Sequence, residues 1–191
     1  MFVRLTACNL RCTWCDTPYA FTGGRKVSVD DLVREIEAFG CPLIEITGGE
    51  PLLQPDAVPL MQRLVDGGWT VLLETGGQIP IGDVPDEVMT ILDVKCPSSG
   101  EAASTHWPNL DQVSPRDEVK FVLGDRVDFD YACDVIERHA LAGRVGAVLL
   151  SPVHGVLAPA DLACWMLERG VAARLHLQVH KYIWPPDRRG V

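Results

Sequence analysis

Apolar residues gather along the chain in seven short runs bounded by turn-forming residues: "FVRL" (2–5), "PLIEI" (42–46), "WTVLLE" (69–74), "VMTILDV" (88–94), "EVKFVL" (from 118), "GAVLL" (146–150) and "ARLHLQV" (173–179). Most are nearly continuous in apolar side chains, which predicts strands covered on both faces. Between several of them the period changes to that of a helix. "SVDDLVREIEAF" (28–39) opens on Ser28 with Asp31 three residues later, a capping-box pattern, and sets Leu32, Ile36 and Phe39 at helical spacing. "DAVPLMQRLVDGG" (56–68) starts at an aspartate and ends in glycines, and "RVDFDYACDVIERHALAG" (126–143) and "APADLACWMLERG" (158–170) are amphipathic and also stop at glycine.

Strand–helix alternation implies right-handed crossovers and a parallel sheet in a single α/β domain over residues 1–191. Seven strands and about four helices are too few for an eightfold barrel of ~250 residues, so an incomplete, open (β/α) barrel of mostly parallel strands is predicted. The unusual polar residues fall just after strands: "CNLRCTWCDT", "TGGEP", "ETGG", "KCPSSG", "SPVHG" and "HKYIW". C-terminal strand ends build the site in such folds. One mouth therefore collects cysteines, glycines, glutamates and histidine, the mark of an enzyme.

Composition narrows the setting. With 17 Lys and Arg against 26 Asp and Glu the formal charge is −9, which disfavours nucleic acid as partner, since phosphate needs a basic face. No apolar run reaches the length of a membrane span and no leader resembles a signal peptide, so the expectation is a cytoplasmic protein without membrane contact. Seven cysteines, of which three cluster, argue for reduced thiols rather than a disulfide framework. Cys41, Cys133 and Cys164 read as small buried hydrophobes, whereas Cys96 lies on the mouth.

The clustered three, Cys8, Cys12 and Cys15, have the spacing C-x3-C-x2-C, which matches neither two-plus-two structural zinc sites nor ferredoxin runs. Three thiolates can hold three irons of a 4Fe-4S cluster and leave the fourth open to a small chelating molecule. A zinc loop completed by a distant Cys or His, or plain buried thiols, is the alternative. In "ITGGEP" two glycines allow backbone to pass close to a ligand and Glu50 can accept from a ligand ammonium; the same string also suits an ordinary turn with Glu50 near a helix start.

Taken together, Cys8, Cys12, Trp14, Cys15 and Thr47-Gly48-Gly49-Glu50 resemble the radical S-adenosylmethionine (SAM) enzymes. In that family the open iron chelates the amino and carboxylate groups of SAM, whose reductive cleavage yields a radical that abstracts substrate hydrogen. The stretches "FVRLTACNLRCTWCDT", "TGGEP", "ETGG", "DVKCPSSG", "DEVKFVL" and "QVHKYIWP" resemble more narrowly the 7-carboxy-7-deazaguanine synthases, across nearly the whole chain. That resemblance implies ring contraction of 6-carboxy-5,6,7,8-tetrahydropterin with loss of ammonia, in deazapurine and queuosine biosynthesis. It also implies a homodimer, Mg²⁺, and an external electron donor of flavodoxin or ferredoxin type.

Carried over by motif, Cys8, Cys12 and Cys15 would ligate the cluster, and Trp14, Asp16, Gly49, Glu50, Glu74, Lys95, Ser98, Ser151 and His154 would line the SAM site. Thr17 would offer its hydroxyl to Mg²⁺, while Arg4, Thr47 and His180 would face the pterin, a guanidinium fork suiting its carboxylate. By themselves these residues also have ordinary readings: an edge charge at Arg4, a turn cap at Thr17, a rim histidine at His180, and a Glu118–Lys120 ion pair along one strand. Departures from the pattern are expected to alter the pterin pocket. The family's Gln-Gly-Glu-Gly element is not found ahead of the first strand, "ETGG" stands in place of "ETNG", and the tail "PDRRGV" runs past the point where many relatives end, so Val191 is not assigned the role of their terminal carboxylate. Competing expectations are a radical SAM activase that makes a glycyl radical on a partner protein, and a non-catalytic zinc-stabilised binding module.

Overall fold

The structure is a computed structural model that describes residues 1–189; Val191, and with it the terminal carboxylate, lies outside the described residues. Seven strands form one sheet: β1 (Phe2–Leu5), β2 (Leu43–Gly48), β3 (Thr70–Thr75), β4 (Met89–Asp93), β5 (Glu118–Leu123), β6 (Ala147–Pro152) and β7 (Arg174–Leu175). They lie in sequence order, every neighbouring pair parallel, with β1 and β7 as unjoined edges. The helices are α1 (Val29–Phe39), α2 (Ala57–Asp66), α3 (Asn109–Gln112), α4 (Arg126–Arg138), α5 (Pro159–Arg169) and α6 (His180–Ile183). The predicted open α/β arrangement is therefore the one observed.

A sheet wound in sequence order by crossovers of one hand receives its helices on one side only. The other side is left open, and the strands show it. Along β2, β3 and β5 fully buried residues alternate with half-buried ones, and only β6 is buried throughout. The expectation of strands covered on both faces is thus corrected. Ile44, Ile46, Leu73 and Phe121 point beneath the helices, while Glu45, Thr47, Glu74 and Lys120 alternate with them on the concave face.

Beneath the helices lie two apolar clusters. One joins β1–β3 to α1 and α2 through Ile36, Ile44, Met61, Leu64 and Leu73. The other joins β4–β6 to α3, α4 and α5 through Leu110, Phe121, Phe129, Val135 and Leu162. Each such fully buried side chain contributes about 1.5–3 kcal/mol, and Leu52 and Val84 touch both clusters.

Local signals set the helix ends. The Ser28 hydroxyl accepts from the Asp31 amide at 3.1 Å, and Gly40 closes α1 with φ 65°. Phe39, placed by periodicity on the apolar stripe, is 75% exposed, because Val33 and Ile36 carry the buried face. Asp56 makes no side-chain cap on α2. The helix from 126 ends at Arg138, five residues before the glycine that was expected to stop it. The last predicted strand shrinks to Arg174–Leu175, and the "HKYI" that follows is the short helix α6. Of the remaining cysteines Cys133 is buried, but Cys164 is exposed and Cys41 half-buried, so those two are not core residues. No helix among the described residues is long and apolar enough to cross a membrane.

Candidate active site

The cysteine loop leaves β1 at Leu5 and is fastened on several sides. Gly49 donates to the Leu5 carbonyl at 3.0 Å and Glu50 donates to the Ala7 carbonyl at 2.8 Å. A methyl group on Gly48 would stand 2.0 Å from the Leu5 oxygen, and one on Gly49 2.1 Å from the Ala7 oxygen. The double glycine is thus required by the close passage of the cysteine loop's own backbone, where the sequence suggested a ligand. Ala7 takes a left-handed φ of 72°, a strain of about 1 kcal/mol that these bonds hold in place.

Farther along, Thr13 donates to the Ser99 carbonyl through its amide (3.0 Å) and hydroxyl (3.1 Å). The Arg11 amide donates to Glu101, while the Arg11 guanidinium donates to the Cys8 carbonyl at 2.8 Å and lies over the Phe21 ring. Gln78 donates to Asn9 at 2.8 Å. At the loop's end, Gln178 and Lys181 both donate to Asp16, which clasps α6 against the loop. Burial raises the Asp16 carboxyl, but these two donors outweigh it and hold it below its ordinary value.

Cys8, Cys12 and Cys15 all stay half-buried with free thiols on this loop. Burial raises the thiols of Cys8 and Cys12, and Lys95 opposes it at both. No three Cys, His, Asp or Glu side chains among the described residues converge as a single metal ion requires. Three thiols spaced along one loop suit a cluster that takes each on its own iron. The donor set therefore fits a 4Fe-4S group. Cys96 is buried and its thiol is pushed far up by burial, so it offers no fourth ligand.

Several expected ligand contacts are committed inside the fold. Glu50 is 0% exposed, and its carboxylate accepts from the Leu52 amide, the Thr75 hydroxyl and the Gly76 amide at 2.8–3.1 Å. It ties the end of β2 to the end of β3 and does not face an open pocket. Ser98 gives both its amide and its hydroxyl to the buried Asp128, which also accepts from Gly124. At the "ETGG" departure a side chain on Gly76 would meet the Gln78 amide oxygen at 2.6 Å, so Gln78 fills that space.

Other candidates stand on or around the concave face. Lys95 pairs with Asp93 at 2.7 Å, and Thr47 donates to Glu74 at 3.3 Å. Arg4 is exposed, next to Thr47 in register and 6.0 Å from the centre of the Tyr19 ring. Ser151 is buried at the end of β6. His154 meets Tyr182 edge-on, and His180 begins α6 half-buried. Thr17 starts a short turn of helix with its hydroxyl 3.9 Å from the Cys15 sulfur. Trp14 is half-buried beside Gly124.

Three groups here went unnoticed in the sequence, and a fourth, Lys120, has a partner other than the one expected. Lys120 pairs with Glu74 and not with Glu118, which instead lies 3.9 Å from Arg174. Burial lowers Lys120, but the Glu74 carboxylate more than offsets it and the ammonium is held firmly. On β2, burial and then the neighbouring Glu74 carboxylate raise Glu45 to about 7. His176 lies beyond β7 with a buried, unpartnered Nδ1, and burial followed by Lys120 lowers it. Asp93 keeps one carboxylate oxygen unpartnered. The alternation in "LIEIT" and "EVKFV" was the signal, since charge at every second position marks a half-open strand.

Comparison with known proteins agrees with this geometry. Residues 3–153 match the profile of the Radical SAM superfamily. A 7-carboxy-7-deazaguanine synthase of Koribacter versatilis is 48% identical over all of this chain and 91% of its own length. The same-named proteins of Chlorobaculum tepidum and Methanospirillum hungatei are 41% and 38% identical, over 100% and 97% of this chain and 87% and 77% of their own. Among solved structures, Streptococcus suis SuiB bound to S-adenosylmethionine superposes with a TM-score of 0.61 at 12% identity. It covers 92% of this chain, which spans 45% of that protein, and the likeness is one of fold. The chain belongs to the radical SAM superfamily and, within it, to the family of 7-carboxy-7-deazaguanine synthases.

Proposed function

We infer that this protein contracts the ring of 6-carboxy-5,6,7,8-tetrahydropterin to 7-carboxy-7-deazaguanine with loss of ammonia, in deazapurine biosynthesis in the cytoplasm. The observation that carries the reading is full-length identity of 38–48% to proteins of that name, spanning both the cysteine loop and the polar strand ends. Cys8, Cys12 and Cys15 would hold a 4Fe-4S cluster, which together with SAM would supply the hydrogen-abstracting radical. The rest falls to the chain's own side chains.

Arg4, exposed at the end of β1, offers a fork for the pterin carboxylate, with Thr47 beside it in register. Thr17 would offer its hydroxyl to a Mg²⁺ ion, a hard cation that oxygen ligands suit. Glu74, already anionic against Lys120, accepts from ligand hydroxyl or ring N–H groups. Lys95 carries positive charge felt by both Cys12 and Glu74, linking the loop to the concave floor. Trp14, Asp16, Gly49, Ser151 and His154 surround the SAM position, and His180 faces the pterin. Glu50 and Ser98 act through the backbone they hold. A second copy of the chain and a flavodoxin or ferredoxin-type electron donor complete the working enzyme.

Anaerobic turnover with SAM, reductant, Mg²⁺ and carboxytetrahydropterin is expected to give the deazaguanine product, identified by mass. Formation of 5′-deoxyadenosine alone would move the assignment to another hydrogen acceptor, such as a glycyl radical on a partner protein.

A further inference from the structure

Two arginines share one tyrosine ring beside the cysteine loop. The Arg189 guanidinium carbon lies 4.3 Å from the centre of the Tyr19 ring, and that of Arg4 lies 6.0 Å from it. Arg4 stands on β1, the first strand, and Arg189 lies beyond α6, the last helix. Tyr19 belongs to the short helical turn Pro18–Ala20 that follows Cys15 and Thr17. That turn is tied down: the Ala7 amide donates to the Ala20 carbonyl and the Ala20 amide to the Thr17 carbonyl, both at 2.9 Å.

The approach of the tail is fixed as well. Gln178 and Lys181 hold α6 to Asp16, and the Arg188 amide donates to the Pro185 carbonyl at 2.9 Å, which turns the chain. Separate contacts, at Asp16 and at Tyr19, thus bring the segment from 178 to 189 to one loop. The ring stands at the rim of the concave face. Arg4 is next to Thr47 in register, and the Thr47 hydroxyl donates to Glu74 at 3.3 Å.

Charge is what this corner leaves unsettled. Among the described residues neither arginine stands in an ion pair. Glu45 on β2 feels Arg4 without pairing with it. Two cations drawn to one ring repel each other, and a tyrosine face offsets only part of that. A carboxylate received by both removes the repulsion and gains charge-assisted hydrogen bonds from planar forks. Both side chains are exposed, so their forks can turn toward one anion.

We propose that Arg189 is a specificity-determining residue: with Arg4 it clamps the ligand's carboxylate at the rim of the concave face, and Tyr19 is the positioning residue that holds Arg189 there. The inference rests on the pterin reading and deepens it, because the carboxylate is what separates that substrate from a plain tetrahydropterin.

Anaerobic titration calorimetry of the cluster-loaded protein with SAM and Mg²⁺, without reductant, tests it against two ligands. These are 6-carboxy-5,6,7,8-tetrahydropterin and the tetrahydropterin that lacks the carboxyl. The wild type should prefer the carboxylated ligand by about thirtyfold, and Arg189→Ala should weaken that ligand alone by about fivefold. In turnover the same variant should raise KM by about fivefold and keep kcat within about twofold. Tyr19→Phe should bind as the wild type does, while Tyr19→Leu should lose about threefold and add nothing to Arg189→Ala in the double variant. The clamp is overturned if Arg189→Ala weakens both ligands alike or neither, if the Tyr19→Leu loss adds in full, or if Arg189→Ala lowers iron per chain. A wild type that binds both ligands equally also removes the clamp and leaves the pterin reading standing. If it binds neither, the pterin reading falls and the clamp with it.

Discussion

Glu50 and the glycines before it carry the β1–β2–β3 corner on which the cysteine loop rests. Three donors converge on a fully buried carboxylate, so Glu50→Gln leaves at least one of them facing an amide N–H. The expected cost is about 2–3 kcal/mol of folding stability, read by denaturant unfolding of the metal-free protein. Gly48→Ala is expected to cost about 3 kcal/mol, because its methyl would overlap the Leu5 carbonyl at a φ of 148°. Iron content after anaerobic reconstitution should fall with it, since the loop bearing the thiols is displaced. At this scale the sequence was informative about which residues matter and less so about what they touch. The "TGGEP" string marks a backbone constraint, but no local pattern tells that the close neighbour is Leu5 and Ala7. A motif names residue types, whereas the partner of Glu50 lies 25 residues away on the next strand.

The elements show why half of the concave floor escaped prediction. A strand read as a continuous apolar run looks covered on both faces, yet a single charge at every second position is enough to open one of them. In β2 that charge is Glu45, and in β5 it is Glu118 and Lys120. Lys120 was legible as a strand residue, while its pairing with Glu74 across β4 required the register. The C-terminal element was misread for a related reason. An edge strand bonded on one side only has little to extend it, and beyond Leu175 the chain soon turns into α6. What anchors α6 to the mouth is the Asp16 clasp. The double variant Gln178→Ala, Lys181→Ala is expected to speed amide exchange in residues 180–183 and in the cysteine loop by about tenfold, while leaving β3–β5 unchanged. Equal protection in both proteins would show that the clasp holds nothing.

Across the whole molecule, strand order decides where chemistry can occur. Sequential winding sends the crossover helices to one side, which buries two apolar clusters there and leaves polar residues on the face opposite. The strand–helix alternation made this architecture legible, since crossover handedness and layer number follow from it. The polar face also sets the acid–base response of the fold. Glu74 is pushed down to about 2 by Lys120, so its contribution is present at neutral pH and lost as pH falls below the ordinary carboxylate range. Glu45, raised to about 7, contributes in acid and loses its contribution as pH rises from its ordinary value through 7. Thermal unfolding of the metal-free protein should therefore give its highest midpoint in mildly acidic buffer, and Glu45→Gln should flatten the decline toward neutrality. The clasp has a further consequence for the order in which the molecule is made. Asp16 and Gln178 are 162 residues apart, which at ribosomal speed is roughly 8–32 s of elongation. The thiol-bearing loop is made well ahead of this anchor, so for that interval the nascent chain carries its cluster ligands on an unclasped loop.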